Sequence, residues 1–257
     1  AYSEASLHIM RNRLQRHILP VLGERPVGEC DAQAVHDMVA RLSDERVSSI
    51  TLSQYLVIVR KVLKLAHTRK WLAELPEIPS IQIDNKPRAA FTLAQYRQML
   101  RSAKRLMREE VEAPRIKMGE GTRERFWITP RYRTLPPDMY WLLIFMVNSF
   151  VRPSDIKVLQ HQHVEVVRGA HDYLRLTMPA TKKHDKPIVT LRPAVRVYEA
   201  LLQHARAQGQ AGPEDYLFLP QEKNREHALA LFNFWLKWVL RQAGVPLTDS
   251  HGQARTL

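Results

Sequence analysis

The stretch "PDMYWLLIFMVNSF", residues 137–150, is apolar on nearly all sides. A helix without a polar face cannot lie at a water-exposed surface, so this segment must be a helix at the centre of a core. It is well short of the ~20 apolar residues that a membrane span needs. The rest of the surrounding sequence therefore has to pack around it. The next stretch, "VRPSDIKVLQ", residues 151–160, sets a permanent cation, Arg152, at the end of the buried helix. Pro153 suits the first turn of a new helix starting there.

An arginine at the end of a buried element is costly unless it is paired. Two readings are open. In one, Arg152 forms a salt bridge with Asp155, three residues on. In the other, Arg152 is a phosphate clamp, because a guanidinium offers planar, bidentate donors matched to two phosphate oxygens. Asp155 then orients the arginine and does not neutralise it.

The organisation of the chain can be read from periodicity and breakers. "SLHIMRNRLQRHIL", residues 6–19, is an amphipathic helix expected to stop at Pro20. Residues 30–42 form a second helix with Asp31 as N-cap. Residues 48–72 form a long third, with Leu52, Leu56, Val59, Leu63 and Ala66 at helical spacing and Ser48, Ser49 or Thr51 as its cap. "AELPEIPSIQIDNKPRAA", residues 73–90, has three prolines and no periodicity. That is a linker signature, and it separates a helical domain, residues 1–80, from residues 91–257, with residues 81–90 between them. Thr92 and Gln95 then have capping-box spacing, with Phe91 and Tyr96 as a staple, for a helix running to about residue 108. Residues 108–138 are polar, charged and loop-like. Three short alternating runs at 163–167, 172–178 and 187–191 predict a small antiparallel sheet. Helices over 193–207 and 226–244 come after it, with Gly244 a C-terminal cap.

Charge narrows the partner. The 257 residues carry a formal net charge of +13, with a pI near 10.1. Self-repulsion of this size is relieved by a polyanion, with nucleic acid the first candidate and an anionic membrane surface the second. The excess is concentrated: residues 84–133 hold 13 Lys and Arg against 6 Asp and Glu, a net of +7. Arg88, Arg101, Lys104 and Arg105 fall there; Arg60, Lys61 and Lys64 lie on the long helix before it. The single cysteine, Cys30, excludes an internal disulfide and a cysteine-based zinc site, fits a reducing cytosolic setting, and reads as a packing residue. The first residues given, "AYSEASLHIMRNRLQRH", do not read as the apolar core of a signal peptide.

The hairpin loop "TKKHDKP", residues 181–187, adds Lys182, Lys183 and Lys186. Lysines at a hairpin tip are ordinarily solvated, yet they can also enter a DNA groove, and a lysine held against a leaving oxygen can act as a general acid.

Taken in order, the apolar helix, "NSFVRPSDIKVLQ" and the three-stranded sheet carrying "TKKHDKPIVTL" resemble the catalytic domain of the tyrosine recombinases, the phage-type integrases. The matching positions are Arg152, Asp155, Leu159, Thr181, Lys182 and "IVTL". The segments "HILPVLGERPVGECDAQAV" and "TLSQYLVIVRKVLKLAHTRKWL" resemble that family's core-binding domain, so the likeness covers nearly the whole chain. It implies a mainly α fold with a small antiparallel β-sheet, in which a helical core-binding domain precedes an α+β catalytic domain and the two clasp duplex DNA. It implies phosphoryl transfer without metal, nucleotide or other cofactor, through a 3′-phosphotyrosyl intermediate. Arg152 would stabilise the transition state, Lys182 (or Lys183, one residue out of register) would protonate the departing 5′-oxygen, and Asp155 would support Arg152. Arg60, Lys61, Lys64, Arg88, Arg101, Lys104, Arg105, Lys183 and Lys186 would contact DNA. The partners would be double-stranded DNA and further copies of the chain in a tetrameric synaptic complex, with no membrane, in a cytoplasmic, nucleoid-associated setting.

The family pattern continues with His-x-x-Arg or Tyr-x-x-Arg on a helix and then a nucleophilic tyrosine. "HGQAR", from His251 to Arg255, has one residue too many and a loop-like context. Tyr198 and Tyr216 precede the expected position and read as packing residues. The 257 residues are thus expected to end before the second arginine and to bind DNA without cutting it. The alternative is a non-catalytic DNA-binding regulator or a recombinase that has lost its nucleophile.

Overall fold

The computed structural model describes Tyr2 and residues 4–45, 47–83, 87–115, 126–179 and 186–257. Two compact units emerge, Ala1–Pro87 and Arg88–Leu257.

The first unit is helical. Helix α1, Glu4–Arg13, runs into a π-helical turn, Leu14–Ile18, and then a short helix α2, Leu19–Leu22. The expected stop at Pro20 is therefore corrected. A proline inside a regular helix removes a ladder bond and clashes with the carbonyl four residues back. Here the wider turn, closed by the Leu19 N–H donating to Leu14 O, shifts the ladder just before the proline. Pro20 then falls in the first turn of α2, where no N–H is required. Helix α3, Ala32–Asp44, starts where Asp31 accepts from Ala34 N–H. Helix α4, Ser49–Thr68, starts where Ser48 accepts from Thr51 N–H. Val35, Met38 and Leu42 of α3 meet Leu56, Val59 and Leu63 of α4 in the core. Cys30 is buried at its edge, and burial raises its thiol pKa.

The second unit is α+β. Helix α5, Leu93–Arg108, begins with the full capping box of Thr92 and Gln95. Helix α6, Pro137–Ser149, is the apolar segment, with Met139, Leu142 and Phe145 wholly excluded from solvent. Strands β1, Val164–Val167, β2, Tyr173–Leu176, and β3, Ile188–Val189, form one antiparallel sheet in sequence order. Helices α7, Pro193–Ala207, and α8, Arg225–Gln242, complete the unit. Phe145, Phe218, Phe232 and Trp235 form a chain of edge-on aromatic contacts through its core. Each buried aromatic or aliphatic side chain of this kind contributes about 1.5–3 kcal/mol.

Two sequence expectations change here. The stretch after Pro153 is not a helix: it makes a single 3₁₀ turn, Asp155–Lys157. Leu159 and Gln160 leave the turn to pair with a distant segment: Leu217 N–H donates to Leu159 O at 3.0 Å, and Gln160 bridges Tyr216. That pairing pulls the chain straight before a second helical turn can close. The loop-like reading of residues 108–138 also gains a 3₁₀ turn, Pro130–Tyr132, whose Tyr132 carbonyl accepts from the Trp235 indole N–H. Among the described residues no helix is long and apolar enough to cross a membrane.

Candidate functional site

The site is built on the end of α6. The buried helix stops at Phe150, which has φ 58° and ψ 14°. That left-handed conformation costs a residue with a Cβ roughly 1–2 kcal/mol. It turns the chain sharply while leaving the Phe150 ring 64% exposed. Val151 returns to the core, and Arg152 points outward as an exposed residue. Ile156 and Leu159 are fully buried on the far side of the turn. Apolar anchors on both sides thus fix the backbone that carries the guanidinium.

Asp155 closes this turn from inside. It is buried, and its Oδ2 accepts from the backbone N–H of Arg152 at 2.7 Å. Its own N–H donates to Arg152 O at 2.9 Å. The two residues are tied reciprocally through the main chain, so the carboxylate sets the direction in which Cα of Arg152 projects its side chain.

A second arginine, which the sequence reading passed over, holds the turn against α8. Arg225 stands in the first turn of α8, where the helix dipole disfavours a cation. That conflict was the readable signal. The side chain reaches back: Nε donates to Lys157 O at 3.2 Å, Nη1 to Leu219 O and Glu222 O, and Nη2 to Phe218 O and Ile156 O. Its guanidinium lies 4.0 Å from the centroid of the Tyr216 ring. Burial lowers its pKa, opposed by Tyr216, Glu222 and Asp138. Lys157 adds an ion pair to Glu226. Arg225 is therefore a positioning residue that welds the Arg152 turn to the 216–222 segment.

That segment is braced in turn by Asp138. Its Oδ1 accepts from Leu219 N–H at 2.7 Å, where Leu219 has a positive φ of 48°. Burial raises the Asp138 pKa, and the bond from Leu219 works in the other direction.

The described ends of the second hairpin connection lie at one end of the sheet. Leu176 pairs with both Val164 and Ile188. The 177–187 connection therefore leaves the sheet where the chain from the Arg152 turn enters it through the 3₁₀ turn His161–His163. Thr177 N–H donates to His163 O at 2.9 Å. Lys186 is exposed at this end. Thr181, Lys182 and Lys183 lie outside the described residues.

The remaining basic positions divide among different places. Arg60, Lys61 and Lys64 are exposed on α4 in the first unit, with Lys61 Nζ donating to Tyr2 Oη at 2.8 Å. Arg88 donates to Thr256 Oγ1 at 2.7 Å. Arg101, Lys104 and Arg105 are exposed on α5. Arg105 donates to Gln242 Oε1 at the C-terminal end of α8, whereas the Arg152 turn contacts Arg225 and Glu226 at its N-terminal end. Arg105 and the Arg152 turn thus meet opposite ends of α8.

The two tyrosines of this region are committed to packing. Tyr198 is 6% exposed and lies 3.4 Å from His161 Nδ1 through its hydroxyl. Tyr216 is covered by Arg225. His251 and Arg255 sit on a turn, not a helix: Asp249 Oδ1 accepts from His251 N–H and Gln253 N–H, and Gly252 has a positive φ of 75°.

No family model matches the sequence, and no curated protein matches it. Solved structures do match. A lambda integrase dimer bound to a core site superposes with a TM-score of 0.63 at 10% identity, over 97% of this chain and 75% of that one. The chain has the tyrosine-recombinase fold. A lambda integrase tetramer bound to a Holliday junction gives 0.63 at 9% identity, over 97% of this chain and 61% of that one. A Tn1549 transposon integrase in complex with transposon right-end DNA gives 0.55 at 14% identity, over 79% and 61%. This chain thus spans three fifths to three quarters of the length of these recombinase-fold structures. At such low identity the likeness is one of fold, and the roles of individual residues rest on the geometry of this chain.

Proposed function

We propose that these residues form the DNA-gripping and phosphate-activating part of a site-specific tyrosine recombinase. The observation that carries this reading is the placement of Arg152. An exposed guanidinium stands on a turn anchored by buried Val151, Ile156 and Leu159 and tied through its backbone to buried Asp155. The turn that carries the cation is held in place, so its backbone need not rearrange when charge develops on a bound phosphate, which favours transition-state stabilisation. Lys182, with Lys183 as the alternative, acts as the general acid on the departing 5′-oxygen, and Asp155 acts through Arg152. Arg60, Lys61, Lys64, Arg88 and Lys186 hold the DNA backbone. The neighbours whose structures contain DNA, and in one case a tetramer on a Holliday junction, support duplex DNA and further copies of the chain as partners.

With Tyr198 buried and Tyr216 under Arg225, neither of these two tyrosines favours an attacking hydroxyl here. These residues are proposed to bind and polarise the scissile phosphate without cutting it themselves. The same observation favours the second reading, a DNA-binding regulator without recombinase chemistry.

The deciding experiment uses the full-length gene product and a duplex carrying its cognate inverted repeats. Wild type should form a covalent protein–DNA adduct through a 3′-phosphate. Arg152→Ala should keep duplex affinity within about threefold and lose the adduct by about 10²-fold or more, the magnitude of removing a preorganised charge donor. Duplex binding with no adduct from wild type selects the regulator. No duplex binding at all removes both readings.

A further inference from the structure

Phe150 is the most exposed large hydrophobic side chain among the described residues, at 64%. The backbone also holds it against its preference, with φ 58° at the end of α6. Glycine would take up that conformation freely, and little packing would be lost with a ring that is mostly in solvent. Val147, Val189 and Leu191 are exposed as well. Leu191 N–H donates to Asn148 O at 2.8 Å, which sets the chain leaving β3 beside the last turn of α6. Thr190 is buried between Val189 and Leu191, so these two face outward together. The fold thus exposes apolar side chains around a strained aromatic, the mark of a contact surface.

Arg152 stands at the edge of this surface. Residues 150–152 lie outside any helix or strand, and Val151 between the other two is turned into the core. Phe150 and Arg152 therefore both face outward from one short stretch. Their Cα atoms are at most about 7.6 Å apart, the span of two trans peptides. One strand of a duplex advances ~3.4 Å of axis per phosphate. A phosphate held by Arg152 thus brings the base steps that flank it within range of the Phe150 ring. The ring has no polar atom, so it cannot read the donor and acceptor pattern of a base edge. Two contacts with DNA are open to it: the methyl group of a thymine, or insertion between two bases. A backbone that fixes the ring in a strained pose favours insertion, because a wedge must keep its direction against stacked bases.

We propose that Phe150 is a wedge that partly unstacks the base step next to the phosphate on Arg152. Its consequence is specificity without hydrogen bonds. Pyrimidine–purine steps unstack most cheaply, so the site prefers TA, CA or TG at that position. This rests on the phosphate-binding reading of Arg152, and adds to it a residue, a mode of contact and a sequence preference.

The test uses the full-length gene product on its cognate duplex. A neutral methylphosphonate, placed at each position in turn, locates the phosphate whose charge matters to wild type and not to Arg152→Ala. The fluorescent adenine analogue 2-aminopurine, which brightens on unstacking, is then placed on either side of that phosphate. Binding of wild type should raise its emission severalfold. Phe150→Leu, an aliphatic wedge, should keep most of the rise. Phe150→Gly should abolish it, with an unfolding midpoint no lower than that of wild type. Exchanging the pyrimidine–purine step there for a purine–pyrimidine one should weaken wild type by about tenfold, and Phe150→Gly by less than about twofold. Unchanged emission on binding of wild type overturns the proposal and leaves the Arg152 site intact. Affinity lost when uracil replaces a thymine at that step, without brightening, makes the ring a methyl contact and overturns the wedge. Self-association lost in Phe150→Gly, again without brightening, gives the surface to a protein partner and also overturns it. If the protein binds duplex and no phosphate depends on Arg152, the phosphate-binding reading fails and the wedge with it.

Discussion

Asp155 holds Arg152 by the main chain: its buried Oδ2 accepts the Arg152 backbone N–H at 2.7 Å, and its own N–H returns a bond to Arg152 O. The carboxylate thus controls where the arginine points by fixing the peptide from which it grows. A turn locked in this way is sensitive to loss of the acceptor and tolerant of loss of the charge.

Asp155→Ala should destabilise the protein by about 1–3 kcal/mol, the cost of stranding a buried donor. Asp155→Asn keeps an acceptor oxygen and should cost less. Urea unfolding of the two variants beside wild type measures the difference. Equal losses would show that the charge, not the hydrogen bond, holds the turn.

Arg225→Lys should be destabilising although the charge is kept. A point-charge ammonium cannot reproduce a fork that reaches carbonyls of Ile156, Lys157, Phe218, Leu219 and Glu222. We expect a loss of about 3 kcal/mol, from two or three carbonyls left without donors. Amide exchange should show the opening concentrated in residues 156–160 and 216–222. Uniform exchange across the unit would refute the positioning role.

Phe150→Gly should raise stability by about 1 kcal/mol, because glycine adopts the left-handed conformation freely and the ring buries little. Strain retained at an exposed aromatic beside Arg152 is the pattern of a functional contact. Duplex affinity should therefore fall in the same variant. Thermal unfolding and a DNA titration of one preparation test both halves, and unchanged affinity would remove the ring from the interface.

Mild acid should destabilise the fold through His161 and His163. Burial lowers the pKa of both below the ordinary 6.5, with Asp215 opposing for His161 and a backbone hydrogen bond opposing for His163. The unfolded chain takes up protons near 6.5 and the folded chain only at lower pH. Stability from these groups is therefore present above about pH 6.5 and lost as pH falls from there toward the depressed folded values. His161→Gln with His163→Gln should flatten the dependence of Tm on pH over that window. An unaltered slope would place the effect elsewhere.

Much of this architecture is written locally. Asp31, Ser48 and the Thr92–Gln95 pair each cap their helix through an N–H three residues away, and alternation in three short runs is enough to specify the sheet. The largely apolar 137–150 segment could only be a central helix, and Arg152 after it was conspicuous for the same reason. Where the sequence reading fails, the cause is either an irregular turn that breaks the period or a partner far along the chain. Pro20 looks like a stop until a π turn shifts the ladder ahead of it. "PSDIKVLQ" has helical spacing, but Leu217 and Tyr216 claim its last residues.

The sequence by itself determined most of the long helices, which face of each is apolar, and that a cation comes directly after the most buried helix. Only the tertiary structure decided that Asp155 acts on the backbone of Arg152, that Arg225 spans some seventy residues to hold the same turn, and that Arg105 of α5 meets the other end of α8. Capping and periodicity act within one or two turns, so they can be read from neighbouring residues. The orientation of a charged side chain depends on which carbonyls and carboxylates the folded core leaves beside it, and those come from distant parts of the chain.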